Sequence, residues 1–215
     1  MIVEEIMKKN VITLTPDDSL RSAIELMHEA KIRHLPLIND KHEIVGLVTE
    51  RDIKAATPVL LEGDKAEDLL EQPLSKLMIT SLITGHPLDF VEEVAYVLYI
   101  HRIGCLPIVQ NKKLVGIVTG TDLLHTLVKL TGADQPGSQI EIRVPNRVGI
   151  LHEVTSIFKN NQINVLSVLL YPDSLSLDHK VLVFRVATMN PLKLVQTLKE
   201  FGLDVIWPNT PGLEG

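Results

Sequence analysis

Roughly the first 130 residues of this chain are written twice. The first copy runs through Met7, Val11-Ile12-Thr13, Pro16, His34-Leu35-Pro36-Leu37-Ile38 and Ile44-Val45-Gly46-Leu47-Val48-Thr49-Glu50-Arg51-Asp52. The second runs through Met78, Leu82-Ile83-Thr84, Pro87, Cys105-Leu106-Pro107-Ile108-Val109 and Leu114-Val115-Gly116-Ile117-Val118-Thr119-Gly120-Thr121-Asp122. Early matches are offset by 71 positions (Met7 to Met78, Pro36 to Pro107) and later ones by 70 (Gly46 to Gly116, Asp52 to Asp122), so the second copy has lost one residue near Asn111. A duplication this regular predicts two copies of one small unit packed against each other. A cleft between paired units is a natural place for a small ligand.

Each copy reads as β-α-β-β-α. Val11 to Leu14 is a short strand, and Pro16-Asp17-Asp18-Ser19 starts a helix with capping oxygens. Leu20, Ala23, Ile24 and Met27 then fall on one helix face, as Val91, Val94, Ala95 and Leu98 do in the second copy. Leu35 to Ile38 is a strand, Asn39-Asp40-Lys41 a turn, and Ile44 to Val48 a strand apolar enough to be buried on both faces. A short helix follows Thr49.

The chain's 215 residues leave room for one to three small domains. Aromatic residues are only 4%, so aliphatic side chains must fill the cores. The net charge of −6 argues against broad binding to nucleic acid or to an anionic membrane. One cysteine, Cys105, rules out an internal disulfide and fits a reducing compartment. The first residues, Met1-Ile2-Val3-Glu4-Glu5, are acidic where a secretory signal is basic, and no apolar run approaches a membrane span. A cytoplasmic location is expected.

The doubled Gly-x-Val-Thr-x-x-Asp, with a Leu-Pro strand about ten residues before it, resembles the CBS domain, whose tandem pairs are called Bateman modules. The resemblance implies a regulatory protein that binds an adenine nucleotide or relative (AMP, ADP, ATP or S-adenosylmethionine) between the paired units. It implies site residues at Ile12, Thr13, His34, Leu35, Pro36, Thr49, Arg51 and Asp52, and at Ile83, Thr84, Cys105, Leu106, Pro107, Thr119 and Asp122. The first strand and the backbone before each Pro would cradle the base.

The Thr-x-x-Asp element supports two readings. A strand ending at Val48 and a helix starting near Thr49 aim free N–H groups at an anion, and Asp52 can accept two ribose hydroxyls. The same spacing is also a plain capping box. Arg51 and His34 can pair with phosphate, whereas Cys105, Gly120 and Thr121 supply no charge, so a single phosphate-binding cleft would be the one lined by Thr49, Arg51 and Asp52. Cys105 reads best as a small buried hydrophobe.

Thr131 to Ser138 is a linker by composition. Beyond it Ile140, Ile142 and Val144 alternate with polar residues, a helix face runs Ile150, Leu151, Val154, Ile157 and Phe158, and Ile163 to Tyr171 is a strand. Lys180 to Thr188 alternates again, Asn190-Pro191 opens a second helix, and Leu203 to Trp207 closes with a strand. This β-α-β-β-α-β order is ferredoxin-like. Val144 to Leu151, followed by Ile163-Asn164-Val165, resembles the ACT domain, which senses small effectors and usually pairs edge to edge. The resemblance places an effector at Asn146, Arg147, Val148, Gly149, Ile150 and Leu151. Asn-Arg-Val-Gly stands where many members carry an acid and Pro-Gly, and a dimerising role alone is the competing reading.

The expected domains are residues 1–57 and 74–130 for the two CBS units and 139–210 for the ACT domain, with linkers at 58–73 and 131–138. The fold class is α/β (α+β). No His-Glu-x-x-His, Walker loop or Gly-x-Ser-x-Gly elbow is present, and the eight histidines lack ligand spacing, so no enzyme, metal or cofactor is expected. The whole architecture resembles bacterial acetoin-utilisation regulators, which implies a part in acetoin or butanediol breakdown through a regulated protein partner. A homodimer is expected, with Met27, Leu98 and Tyr99 on an apolar helix face. The alternative is a ligand-independent scaffold with vestigial clefts.

Overall fold

The computed structural model describes residues 1–56 and 65–209. The chain divides into two compact units, Met1–Leu124 and His125–Gly215. The linker expected at residues 58–73 lies partly outside the described residues; its second half contains helix α3, Lys65–Leu70.

In the first unit each copy gives a helix, an antiparallel hairpin and a second helix. Copy one is α1 (Leu20–Ala30), β1 (His34–Ile38), β2 (Ile44–Thr49) and α2 (Glu50–Ala56). Copy two is α4 (Val91–His101), β3 (Cys105–Gln110), β4 (Lys113–Thr119) and the start of α5 (Gly120–Thr131), which runs past Leu124 into the second unit. Ser19 caps α1 by accepting from Ser22 N, and Leu20, Ala23 and Met27 are its buried stripe. Both first helices end on a basic residue in the left-handed region, Lys31 and Arg102, each at φ 53. The next residue bonds back to the last turn (Ile32 N to Met27 O, 3.0 Å; Ile103 N to Leu98 O, 3.1 Å), a Schellman close. Met27 and Leu98, expected on a dimer face, are instead only 6% exposed and sit in their own cores, because they lie on the stripe that faces the hairpins; Tyr99 is exposed.

The expected first strand of each copy shrinks to one parallel bridge, Leu14 to Leu37 and Gly85 to Ile108. Duplicated prolines explain this. Leu14 N donates to Pro36 O and Ile38 N to Leu14 O. Extending that ladder one way needs an N–H on Pro36, and the other way an N–H on Pro16, and neither has one. Pro107 and Pro87 impose the same limit on the second copy. The missing residue lies in the hairpin. β3 and β4 close through Asn111 (φ 51) and Lys112 (φ 66), the two positive-φ positions of a tight turn. The longer first loop is held by Asn39 Oδ1, which accepts from Lys41 N and Glu43 N at 3.0 Å each.

The segment leading into each copy packs into the other copy's core. The 3₁₀ turn Val3–Glu5 places Val3 among Val94, Leu98, Leu106, Ile108 and Val118. The turn Leu74–Lys76 places Leu74 among Leu20, Ala23, Met27, Leu35, Leu37 and Val48. Met7 crosses Gly116 and Met78 crosses Gly46. A Cβ on either glycine would lie 2.5–2.6 Å from the methionine sulfur, so a side chain at either position would force that methionine to move. Val48 and Val118 face their own cores, while Leu47 and Ile117 meet Cys105 in a shared centre, so both faces of β2 and β4 are buried.

The second unit has the expected ferredoxin-like order. Strands β5 (Ser138–Pro145), β6 (Val165–Pro172), β7 (His179–Val186) and β8 (Asp204–Trp207) form one antiparallel sheet in the order β6-β7-β5-β8. Helices α6 (Ile150–Asn160) and α7 (Leu192–Glu200) cover one face. Ile140, Ile142, Val144, Val154, Phe158, Leu182, Phe184 and Leu198 are the core, with Phe158 and Phe184 edge to face at 4.6 Å. Among the described residues no helix is long and apolar enough to cross a membrane.

Candidate ligand-binding cleft

β2 ends at Thr49 and α2 begins one residue later, so Thr49 and Asp52 meet across the first helical turn. Thr49 N and Oγ1 both donate to Asp52 Oδ2, at 2.9 and 2.6 Å, and Asp52 N returns a bond to Thr49 Oγ1 at 3.3 Å. The second copy repeats this: Thr119 N and Oγ1 donate to Asp122 Oδ2 at 2.8 and 2.5 Å. Both elements are therefore complete capping boxes. Each box occupies one carboxylate oxygen. Asp122 Oδ1 lies 3.5 Å from Lys8 Nζ. The residue matching Lys8 in the other copy is Ile79, so no lysine reaches Asp52 there, and its Oδ1 has no partner among the described residues.

These turns flank a cleft of about 940 Å³ within the first unit, a size suited to a nucleotide. Of the residues singled out from sequence, His34, Thr49, Arg51, Asp52, Ile83, Cys105, Pro107 and Thr119 line it. Leu35 and Leu106 turn their side chains into the cores, at 0% and 1% exposure, so their backbone alone is available. Ile12, Thr13, Pro36, Thr84 and Asp122 lie outside the lining. The cleft also gathers residues the motif search passed over: Lys8, Lys31, Ser81 and Arg102. Lys31 and Arg102 occupy matching helix ends, a signal that the offset of 71 makes readable.

The lining is cationic although the whole chain carries −6. Lys8, Lys31, Arg33, Arg51 and Arg102 face two acids, Glu50 and Asp52, and Glu50 is taken up by Lys54 at 2.7 Å. His34 lies against Gly104, where a Cβ would come within 2.6 Å of its Nε2. Burial, then Arg33 and Arg51, lower the His34 pKa, so the ring is neutral near pH 7. Burial pushes the Cys105 thiol up to about 12, which keeps it protonated and unreactive.

The loop expected to hold an effector in the second unit is tied to the segment before β7 and to α6. Asn146 N donates to Asp178 O at 2.8 Å. Arg147 places its guanidinium fork on Glu153, with bonds of 2.7 and 2.6 Å, and that fork lowers the Glu153 pKa. Val148 is 98% exposed, Gly149 takes φ 87 before α6, Ile150 enters the core and Leu151 is partly exposed. Among the described residues no three His, Cys, Asp or Glu side chains gather to hold a metal ion.

The CBS domain model matches residues 3–58 and 74–129, and the ACT domain model matches 138–202. The acetoin utilization protein AcuB from Vibrio cholerae is 31% identical, with a TM-score of 0.54 over 63% of this chain and 98% of that one. The CBS domain pair of protein MJ0100, solved with 5-methylthioadenosine and S-adenosyl-L-methionine, is 26% identical with a TM-score of 0.52 over 63% of this chain and 98% of that one. CBSX2, solved with AMP, is 26% identical with a TM-score of 0.52 over 59% of this chain and 96% of that one. The chain spans 99% of a CBS domain-containing protein of Dictyostelium discoideum, at 30% identity, but only 25% of the homoserine O-acetyltransferase of Methanococcus vannielii.

Proposed function

Given that the chain belongs to the CBS-domain family and carries an ACT domain after the CBS pair, we propose that it is a non-catalytic sensor whose first unit binds an adenine nucleotide. The observation that carries this reading is the cationic cleft lined by Asp52, whose Oδ1 has no partner among the described residues. In it, Asp52 accepts from a ribose hydroxyl while Thr49 stays its cap, and Arg51 with Arg102 meets phosphate oxygens. His34, Ile83, Cys105 and Pro107 wall the base. The surplus of positive charge favours AMP, ADP or ATP over the cationic sulfonium of S-adenosylmethionine. The solved relatives that hold AMP and adenosine sulfur compounds support the ligand class.

Calorimetric titration with the four ligands tests this. An anionic nucleotide should bind saturably, and Asp52→Ala should weaken it by about 1–3 kcal/mol. No heat from any of the four would sink the reading. The complete capping boxes favour a second one, a scaffold whose clefts are vestigial; it expects Asp52→Ala to lower stability with no nucleotide dependence to lose.

A homodimer fits the outer face of α4, where Tyr96, Tyr99 and Ile100 are 65%, 77% and 51% exposed. A second effector at residues 146–151, a regulated protein partner in acetoin or butanediol breakdown and a cytoplasmic location belong to the same proposal. The likeness to the Vibrio cholerae protein supports the acetoin connection.

A further inference from the structure

The second unit carries a pocket that nucleotide sensing leaves unused. In β5 the residues Ile140 and Ile142 face the helices, so Gln139 and Glu141 face the other side of the sheet. Register places Arg185 between Gln139 and Ser167, and Val183 between Glu141 and Leu169. These six residues line a pocket of about 290 Å³. None of Asn146 to Leu151 reaches it.

The turn after α5 covers the Arg185 end. Ser167 Oγ donates to Thr131 O at 2.7 Å, and Arg185 Nη2 donates to Gln135 O at 2.6 Å. Arg185 Nε is sealed from solvent and has no hydrogen-bond partner among the described residues. A buried donor on a guanidinium that remains unmet calls for an acceptor, and a carboxylate matches the fork. The neighbouring floor, Leu169 and Val183, is apolar. Glu141 is already held by the Gln139 amide at 2.7 Å. The volume falls just short of the range of about 300–1,000 Å³ for drug-sized ligands, so the occupant is smaller than a nucleotide.

We propose that this face of the sheet binds a small aliphatic carboxylate, with its carboxylate on the Arg185 guanidinium and its hydrocarbon on Leu169 and Val183. The site stands whether or not the first unit binds a nucleotide. The test titrates the ¹⁵N-labelled full chain with butyrate, and with butyramide as the uncharged isostere. Butyrate should shift the amides of Ser167–Leu169 and Val183–Arg185 saturably, and butyramide should bind at least about tenfold more weakly. Arg185→Met and Leu169→Glu should each abolish the butyrate response. Leu169 is 41% exposed, so that variant keeps the test alive if Arg185→Met fails to fold. No saturable shift at millimolar butyrate, equal binding of butyramide, or binding that survives in either folded variant would overturn the proposal.

Discussion

The two copies share a backbone and differ in their surfaces. Helix α1 presents Glu25, His28 and Glu29 where α4 presents Tyr96, Tyr99 and Ile100. The motif is Thr-Glu-Arg-Asp in one and Thr-Gly-Thr-Asp in the other. Ile79 stands where Lys8 reaches Asp122. Positions that hold the fold, the paired glycines beneath methionines and the paired prolines, are identical in both. The divergence falls in the lining of the cleft and on the outer face of the first helix, so the copies are one scaffold with two surfaces.

The largest effect should come from the exchanged leaders. Leu74→Ala should cost about 2–5 kcal/mol in urea unfolding and expose the amides of β1 and β2 to hydrogen exchange, although the substitution lies in the leader of the other copy. Loss of protection in β3 and β4 instead would break the exchange. Next comes the ligand comparison. Asp52→Ala and Asp122→Ala should each lose roughly 1 kcal/mol of capping, but Asp52→Ala alone should also weaken nucleotide binding, by about 1–3 kcal/mol. Equal losses of affinity would erase the distinction drawn from Lys8. Tyr99→Glu should give a monomer by sedimentation, while Glu29→Lys on the matching helix should leave assembly unchanged. A smaller gain is expected from Lys112→Gly, which relieves a left-handed lysine in the tight hairpin and should raise stability by about 1 kcal/mol.

The smallest effect is acid sensitivity confined to the first copy. Folding lowers the His34 pKa, chiefly by burial. The contribution is complete above its unfolded value near 6.5. It is lost as pH falls below that, and levels off once the folded ring also protonates. Cys105, at the matching place, stays a thiol throughout this range. His34→Gln should flatten the slope of melting temperature between pH 7 and 5, and an unchanged slope would assign it elsewhere.

Much of this is legible in the amino-acid sequence alone. The duplication, both hairpins, the ferredoxin-like order and the Thr-x-x-Asp turns follow from period and spacing. The single bridges at Leu14 and Gly85 were also in the text, since Pro16 and Pro36 delete the N–H groups a ladder needs; period alone does not count donors. The leader exchange was hidden because Val3 and Leu74 look like ordinary apolar residues, and sequence offset does not say which copy they enter. Lys8 carries no signal in the repeat, because charge outside a motif and without a counterpart at position 79 acquires meaning only when folding gathers it. Arg185 read as an alternating polar residue, and only burial of its Nε gives it chemical interest.

The crossing of Val3 and Leu74 carries a consequence for the chain's ancestry and its dissection. One copy cut free would hold a core with an empty place and a leader with nowhere of its own to go. It could be completed only by a second molecule offering its leader in return, a reciprocal handclasp about a two-fold axis. Joining two such copies end to end turns that bimolecular bargain into an internal one, independent of concentration, and then frees each half to drift toward its own chemistry.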